Sequence, residues 1–330
     1  VANHGGNQVG QPTRFYTNLG GAQLGLLGFY QETTNTQWGT LISVPVGDQV
    51  LGGNVGPFRE YTCDCDFGDL DDDGDVDLFH SSYGPGLNAT HDSRVFLSDG
   101  GETFHELWPW ANPAADTKTH TVDFDLADLD GDFDLDVFMS SRNSQARTYL
   151  NNLYGAVSAT PFHDVTQLAL LDQGAVLVGS DHIGGEYQDL DGDGDLDMWL
   201  MNYNFNADRI LQNRGVVDGT YRFTQMNAWI VGDPIQYENE SDFVDFDGDG
   251  DLDVFVANFT GTNWMYQGGA AQGLTGAQGL FHRTGFTPPS PSLAAAFWET
   301  PVFNNGNTTL DADAADIDND GDDDLLVAND

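Results

Sequence analysis

The sequence predicts an all-β fold assembled from repeated four-stranded units, and three observations carry that expectation. A nine-residue pattern, Asp-x-Asp-x-Asp-Gly-Asp-x-Asp, occurs five times with small variations. A β-rich apolar run follows every copy, and 40 of the 330 residues are glycine, which favours turns and strands over long helices. The copies are DLDDDGDVD from Asp69, DLDGDFDLD from Asp128, DLDGDGDLD from Asp189, DFDGDGDLD from Asp245 and DIDNDGDDD from Asp316. Their starts lie 59, 61, 56 and 71 residues apart. That period suits one four-stranded blade of a β-propeller better than a helical solenoid unit.

Each unit reads in the same order. A first strand leads into the loop, as in THTVDFDLAD ending at Asp128, and the second follows it: LFHSS (78–82), VFMSS (137–141), MWLMN (198–202), VFVAN (254–258) and LLVAN (325–329). These runs are apolar enough for strands buried on both faces. The third strands are SRVFLSDG from Ser93, ARTYLNN from Ala146, DRILQN from Asp208 and TNWMYQGG from Thr262. After a Gly-rich or polar turn come the fourth: TFHEL from Thr103, PFHDVT from Pro161, YRFTQM from Tyr221 and LFHRT from Leu280. TRFYTN (13–18) and GFYQE (28–32) have the character of third and fourth strands with no loop before them.

Val1-Ala2-Asn3 matches Val256-Ala257-Asn258 and Val327-Ala328-Asn329, so both ends sit at one phase of the repeat. Residues 1–330 then read as one propeller domain of five units, with strands in 1–32 completing the blade begun at 310–330. A closed ring would leave no open sheet edge. A slice of a longer propeller, and a polymer in which one chain's tail completes the next chain's head, fit the sequence equally.

Composition narrows the function. With 53 Asp and Glu against 10 Lys and Arg the formal charge is -43, which excludes nucleic acid as a partner. At 39% apolar and 12% aromatic the chain has material for a packed core. No stretch approaches the roughly 18 apolar residues of a membrane span, and the opening on Val1 reads as a mature or trimmed product. The odd positions of the five loops hold 25 Asp, and an acid three residues before each loop (Asp66, Asp125, Glu186, Asp242, Asp313) brings the set to 30 of the 53. Most of the charge excess therefore belongs to the loops. Five Ca²⁺ would take the formal charge to -33, and the remainder favours solubility.

Carboxylates crowded into one tight turn repel, each pair at about 4 Å by roughly 4 kcal/mol at an effective dielectric of 20. Something must neutralise them. Alternating Asp with a Gly at position 6, an Asp at position 9 and the position 7 backbone carbonyl make an all-oxygen cage suited to Ca²⁺. Mg²⁺ demands stricter octahedral geometry, and Zn²⁺ would want the His or Cys that the loops lack. EF-hands are excluded, because position 12 holds His80, Met139, Leu200, Val256 and Val327 where a bidentate Glu belongs, and strand follows rather than helix.

These residues resemble the FG-GAP and VCBS calcium-binding β-propeller repeat families, whose units join Asp-x-Asp-x-Asp-Gly-x-x-Asp to an apolar strand. The likeness extends to the residue that begins the third strand (Arg14, Arg94, Arg147, Arg209, Asn263) and to the Phe162–Thr166 type of strand. It implies about five structural Ca²⁺, ligated at positions 1, 3, 5 and 9 with position 7 alongside. Copy by copy these are Asp69, Asp71, Asp73, Asp75 and Asp77; Asp128, Asp130, Asp132, Asp134 and Asp136; Asp189, Asp191, Asp193, Asp195 and Asp197; Asp245, Asp247, Asp249, Asp251 and Asp253; Asp316, Asp318, Asp320, Asp322 and Asp324. Copy two has Phe133 where the others have Gly, so its site is expected to be the weakest or most distorted. The acid three residues before each loop is either a further ligand or an acceptor behind the ligands, or an exposed residue or partner for the third-strand Arg.

The other chemistry-bearing residues form no catalytic motif. Cys63 and Cys65, two apart on a strand, are read as buried free thiols. His105, His163 and His282 all follow a Phe in the fourth strand, which marks them as structural; His80, His91, His120 and His182 lack a nearby nucleophile motif. Trp38 and Trp298 lie in the long inserts 33–60 and 284–309, and Trp108 and Trp110 flank Pro109. These Trp are candidates to stack on sugars or anchor proteins, or to plug a blade. Glycosylation sequons occur at Asn88, Asn239, Asn258 and Asn307. Modules of this kind bind Ca²⁺ with dissociation constants of about 10⁻⁴–10⁻³ M, which places the protein outside the cell. The sequence thus reads as an extracellular, calcium-stabilised adhesion module for carbohydrate or a surface protein, not an enzyme. A subunit of a fibre or surface layer is the alternative, and a polysaccharide-active enzyme the third reading.

Overall fold

Apolar runs that follow an Asp-rich turn can only be buried if strands flank them on both sides, and the fold supplies those strands. In the computed structural model the backbone is described for residues 11–12, 16–18, 22–23, 26–27, 30–32, 59–60, 63–81, 91–98, 100, 104–107, 110, 118–142, 146–153, 160–166, 181–203, 207–217, 220–231, 237–246, 250–259, 263–268, 281–283, 308–318 and 320–329. The architecture is all-β, built of antiparallel propeller blades. The chain divides into two compact units, Val1–Thr166 and Gln167–Asp330. No helix among the described residues is long and apolar enough to cross a membrane.

In the first unit, β1 (Tyr16–Asn18) pairs with β2 (Tyr30–Glu32), Tyr16 opposite Glu32. These are the segments expected as third and fourth strands. The next blade runs β3 (Cys65–Gly68), β4 (Asp77–His80), β5 (Arg94–Ser98) and β6 (Phe104–Leu107), each hydrogen-bonded to the one before it. A second blade follows as β7 (Lys118–Ala127), β8 (Asp136–Arg142), β9 (Arg147–Asn151) and β10 (Phe162–Asp164). The second unit repeats the order. One blade is β11 (Asp181–Gln188), β12 (Asp197–Tyr203), β13 (Arg209–Val217) and β14 (Thr220–Gln225). Another is β15 (Glu238–Val244), β16 (Asp253–Asn258), β17 (Trp264–Gln267) and β18 (Phe281–Arg283). The last loop lies between β19 (Thr309–Ala315) and β20 (Asp324–Asn329).

The second strands β4 and β16 are buried along their whole length, and β8 and β12 at all but their last residue. That is the environment their uninterrupted apolar character calls for. Phe79 of β4 is the hub of the first unit's core, with ring centroids 4.8 Å from Phe124, 5.4 Å from Trp110 and 5.5 Å from Phe162. Trp199 of β12 has the matching role in the second unit, 5.4 Å from Tyr266 and packed with Val254, Val256 and Trp264. Burying one such side chain contributes about 1.5–3 kcal/mol. The loops join this core directly, because the residue at position 2 (Leu70, Leu129, Leu190) is buried beneath its own turn.

A register shift recurs at Thr121/Phe124, His182/Gly184, Glu238/Glu240 and Thr309/Asp311, each adding one residue to the first strand against the second. Such a bulge turns the chain and re-aims the side chain next to it. The residues on its far side, Thr121, His182, Glu238 and Thr309, are all fully buried although polar. Two of them meet the start of a preceding third strand: Ser93 Oγ donates to Thr121 Oγ1 at 3.0 Å, and Asn263 Nδ2 to Thr309 Oγ1 at 3.0 Å.

Candidate metal centres

Each loop is a turn tied together by its own aspartates. The carboxylate at position 1 accepts the backbone N–H of positions 5 and 6, at 3.1 and 3.0 Å on Asp69, 3.1 and 3.1 Å on Asp128, 3.1 and 3.0 Å on Asp189, and 3.1 and 3.0 Å on Asp316. Position 5 accepts the N–H of position 7 in the first, second, third and fifth loops, at 2.9–3.1 Å. To bring these donors round, position 6 takes a left-handed backbone: φ is 91° at Gly74, 95° at Gly194, 91° at Gly250 and 98° at Gly321. This is why the pattern carries glycine there. Copy two keeps the same path with Phe133 at φ 76°, and in copy one Asp72 at position 4 takes φ 54° where Gly131 and Gly192 stand in the next two.

Position 9 is anchored from two sides. One oxygen accepts the N–H of position 2, at 2.8 Å from Leu70, 2.9 Å from Leu129, 3.2 Å from Leu190 and 3.1 Å from Phe246. The other accepts an N–H from the end of the third strand or just past it: Ser98 at 2.7 Å, Asn151 at 2.8 Å, Asn213 at 2.8 Å and Gly268 at 2.7 Å. Asp77, Asp136, Asp197 and Asp253 are accordingly buried. The third-strand donor was not anticipated, although an Asn, Ser or Gly recurs there in the sequence. At two positions its side chain also serves the loop: the amides of Asn151 and Asn213 donate to the position 8 carbonyls of Leu135 and Leu196, at 3.2 and 3.1 Å.

Three carboxylates converge in each of four loops. Ligand oxygens of Asp69, Asp71 and Asp77 lie within 4.8 Å of one another, as do those of Asp128, Asp130 and Asp136, of Asp189, Asp191 and Asp197, and of Asp316, Asp318 and Asp320. In the last set Asp320 takes the place of Asp324, which is exposed at the end of its loop and accepts Ile317 N–H at 3.1 Å. Position 7 lies apart: the Asp75 carboxylate rests against Gly100, and that of Asp134 lies beside the Asp72 carboxylate of the adjacent loop, which helps raise its pKa. Asp247 and Asp249 lie outside the described residues, while Asp245 accepts Gly250 N–H at 2.9 Å.

The donor set fits a hard divalent cation. Oδ1 of Asp71 and Oδ1 of Asp130 are buried and accept no hydrogen bond, so each cage holds an acceptor with nothing to receive. Burial first, and the neighbouring carboxylates after it, push Asp130 up to about 6. Burial likewise lifts Asp136 to about 8 and Asp197 to about 7, against the hydrogen bonds that lower them. Asp71, Asp77 and Asp191 are raised for the same leading reason. No Lys or Arg contributes to these shifts. A Ca²⁺ held by positions 1, 3 and 9 would supply the missing positive charge, and all-oxygen ligation is its preference. In copy three Gln212 Nε2 also donates to Asp191 Oδ2 at 2.6 Å, holding position 3 in place.

The remaining expectations divide. Of the acids before the loops, Asp66 accepts the N–H groups of Phe67 and Leu126, and Asp242 those of Phe243 and Ala314. These two tie their first strand to the first strand of the next blade, as Asp64 does through Phe124 N–H at 3.1 Å. The Arg residues pair instead with the fourth strand, Arg94 with Glu106 and Arg147 with Asp164. In the fourth blade that register belongs to Trp264, opposite Val256, and not to Asn263, because Asn263 caps the preceding turn by accepting Asn258 N–H at 2.9 Å. The thiols are free but not buried as expected: Cys63 is exposed and Cys65 half-buried. Trp110 plugs its blade, 1% exposed, with Nε1 donating to Ser93 O at 2.7 Å, while Trp38, Trp108 and Trp298 lie outside the described residues. His105 and His163 point to solvent beside inward-facing Phe104 and Phe162, whereas His80 and His182 are buried. Asn258 is fully buried, which bars a glycan there in the folded protein, and Asn239 donates to Leu310 O; Asn88 and Asn307 lie outside the described residues.

No curated protein matches the chain. Among solved structures it is similar to an Agrocybe aegerita lectin described as specifically recognising non-reducing terminal N-acetylglucosamine, at 16% identity and a TM-score of 0.46. The match covers 83% of this chain and 62% of the lectin, so the chain spans less than two thirds of that protein's length. The FG-GAP-like repeat family matches residues 189–256 and 245–327. These segments contain the third, fourth and fifth Asp-rich loops with the strands between them, and residues 189–327 match the family as two overlapping FG-GAP-like repeats.

Proposed function

We propose that the chain is a calcium-stabilised β-propeller domain, spanning residues 1–330, that works outside the cell as a ligand-binding module for carbohydrate or a surface protein. The observation that carries the calcium part is the recurring carboxylate triad of positions 1, 3 and 9, with buried acceptors on Asp71 and Asp130 that no donor of the chain satisfies. Position 5, the position 7 backbone carbonyl and the loop around Asp247 complete the same set by repetition. The FG-GAP-like repeats of the second unit support a binding role. External placement rests on affinity: sites of about 10⁻⁴–10⁻³ M fill in extracellular fluid and stay empty in resting cytosol. The test is a glycan array and a panel of surface proteins probed in Ca²⁺ and again in chelator. Calcium-dependent capture of a ligand is expected. Cleavage of a polysaccharide substrate without stable binding would contradict the binding role.

A further inference from the structure

The blades are copies, so each serves as a control for the others, and one cation in them lacks the partner its counterparts have. The third strand begins with Arg at the same register in three blades: Arg94 opposite His80, Arg147 opposite Met139, Arg209 opposite Leu200. Two residues further on, that strand faces Glu106, Asp164 and Gln225 respectively. In the first case Nε and Nη2 of Arg94 both bond the Glu106 carboxylate at 2.8 Å, and in the second Nη1 of Arg147 bonds Asp164 at 2.6 Å. In the third the carboxylate is replaced by the neutral carboxamide of Gln225.

Arg209 consequently has no ion pair among the described residues, and its buried Nη1 has no hydrogen-bond acceptor. Burial alone lowers its pKa, with no charged neighbour contributing. Scarcity of acids is not the cause, since the chain has 53 of them to 10 bases. A half-buried guanidinium without a counter-ion is unfavourable, and its fork of donors matches a carboxylate.

We propose that Arg209 and Gln225 form a receptor for the single carboxylate of a small organic acid of the uronic-acid class. The ligand's carboxylate stands where Glu106 stands in the sister blade, with the guanidinium on its oxygens and the Gln225 amide as a second donor. A single carboxylate is favoured because the net charge of -43 opposes polyanions far more than monoanions, and the hydroxylated body follows from the carbohydrate reading of the module. The inference rests on the binding-module reading and names the ligand chemistry of one site within it.

The test is a titration of the Ca²⁺-loaded full chain with D-glucuronate, acetate and D-glucose, read on the arginine side-chain Nε–Hε NMR signals, with the Arg209 signal identified by its loss in Arg209→Gln. D-Glucuronate is expected to shift that signal, acetate to shift it at much higher concentration and D-glucose not at all. Arg209→Gln, followed by calorimetry, and Gln225→Glu should each bind D-glucuronate at least tenfold more weakly. Gln225→Glu, which rebuilds the sister pair, should also melt at a higher temperature. Equal response to acetate and D-glucuronate would overturn the sugar-acid class, and no response to any probe, or unchanged binding by Gln225→Glu, would overturn the site. Melting in Ca²⁺ and in chelator on the same samples separates these outcomes from failure of the calcium scaffold.

Discussion

The strain in the loops sits at identifiable atoms. Phe133 has a β-carbon on a backbone at φ 76° and a ring that is 88% exposed, so it contributes little packing in return for its conformation. Phe133→Gly is therefore expected to stabilise the Ca²⁺-loaded protein by about 1 kcal/mol, the lower end of the range for a bulky residue held at positive φ. Urea denaturation of both proteins checks this, and a lower midpoint for the variant would show that the ring packs on something that stabilises the fold. The buried carboxylates set a pH dependence. Asp136 at about 8 and Asp197 at about 7 lie above the ordinary carboxylate value in the folded chain because burial disfavours their charge. The unfolded chain thus gives up these protons first, and without metal the contribution is fully present below about pH 4 and is lost as pH rises towards 7 and 8. Ca²⁺ binds the ionised forms and opposes that loss. Urea midpoints in chelator should fall over this range while the gap to the Ca²⁺ series widens; parallel series would contradict it.

At the level of strands and turns, the arginine pairs differ in depth and should differ in weight. Arg94 and Glu106 are 2% and 11% exposed, against 16% and 17% for Arg147 and Asp164. Glu106→Gln leaves a buried guanidinium unpaired and should cost about 3 kcal/mol, whereas Asp164→Asn, where water reaches the pair, should cost about 1 kcal/mol. Thermal denaturation of the two variants tests the order, and an equal loss would refute it. Much of this level is legible in the sequence. A Gly within alternating Asp specifies the turn, and uninterrupted apolar runs such as MWLMN specify a second strand buried on both faces. The bulges and the strand-to-strand roles of Asp64, Asp66 and Asp242 are not legible, because an acid beside a metal loop has the same sequence appearance whether it binds an ion or a neighbouring backbone N–H. Cys63 misleads for a different reason: it lies before the first residue of β3 (Cys65–Gly68), outside the strand assumed to bury it, and is exposed.

At the scale of the whole chain, charge and fold make one problem. An excess of 43 negative charges opposes a compact state, and the repeat gathers most of the acids into turns where a few divalent ions can offset them. An ion at a triad joins the end of one strand to the start of the next, so metal binding and strand pairing are linked equilibria. A site exposed to Ca²⁺ at a hundredfold excess over its dissociation constant adds about 2.7 kcal/mol, and several sites together would exceed the usual margin of stability. The most direct test is the melting temperature of the full chain, by calorimetry, in excess Ca²⁺ and in chelator at the same ionic strength. A rise of well over ten degrees with Ca²⁺ is expected, since each 1 kcal/mol shifts a chain of this size by about 2 degrees. Superimposable transitions in the two solutions would contradict the account.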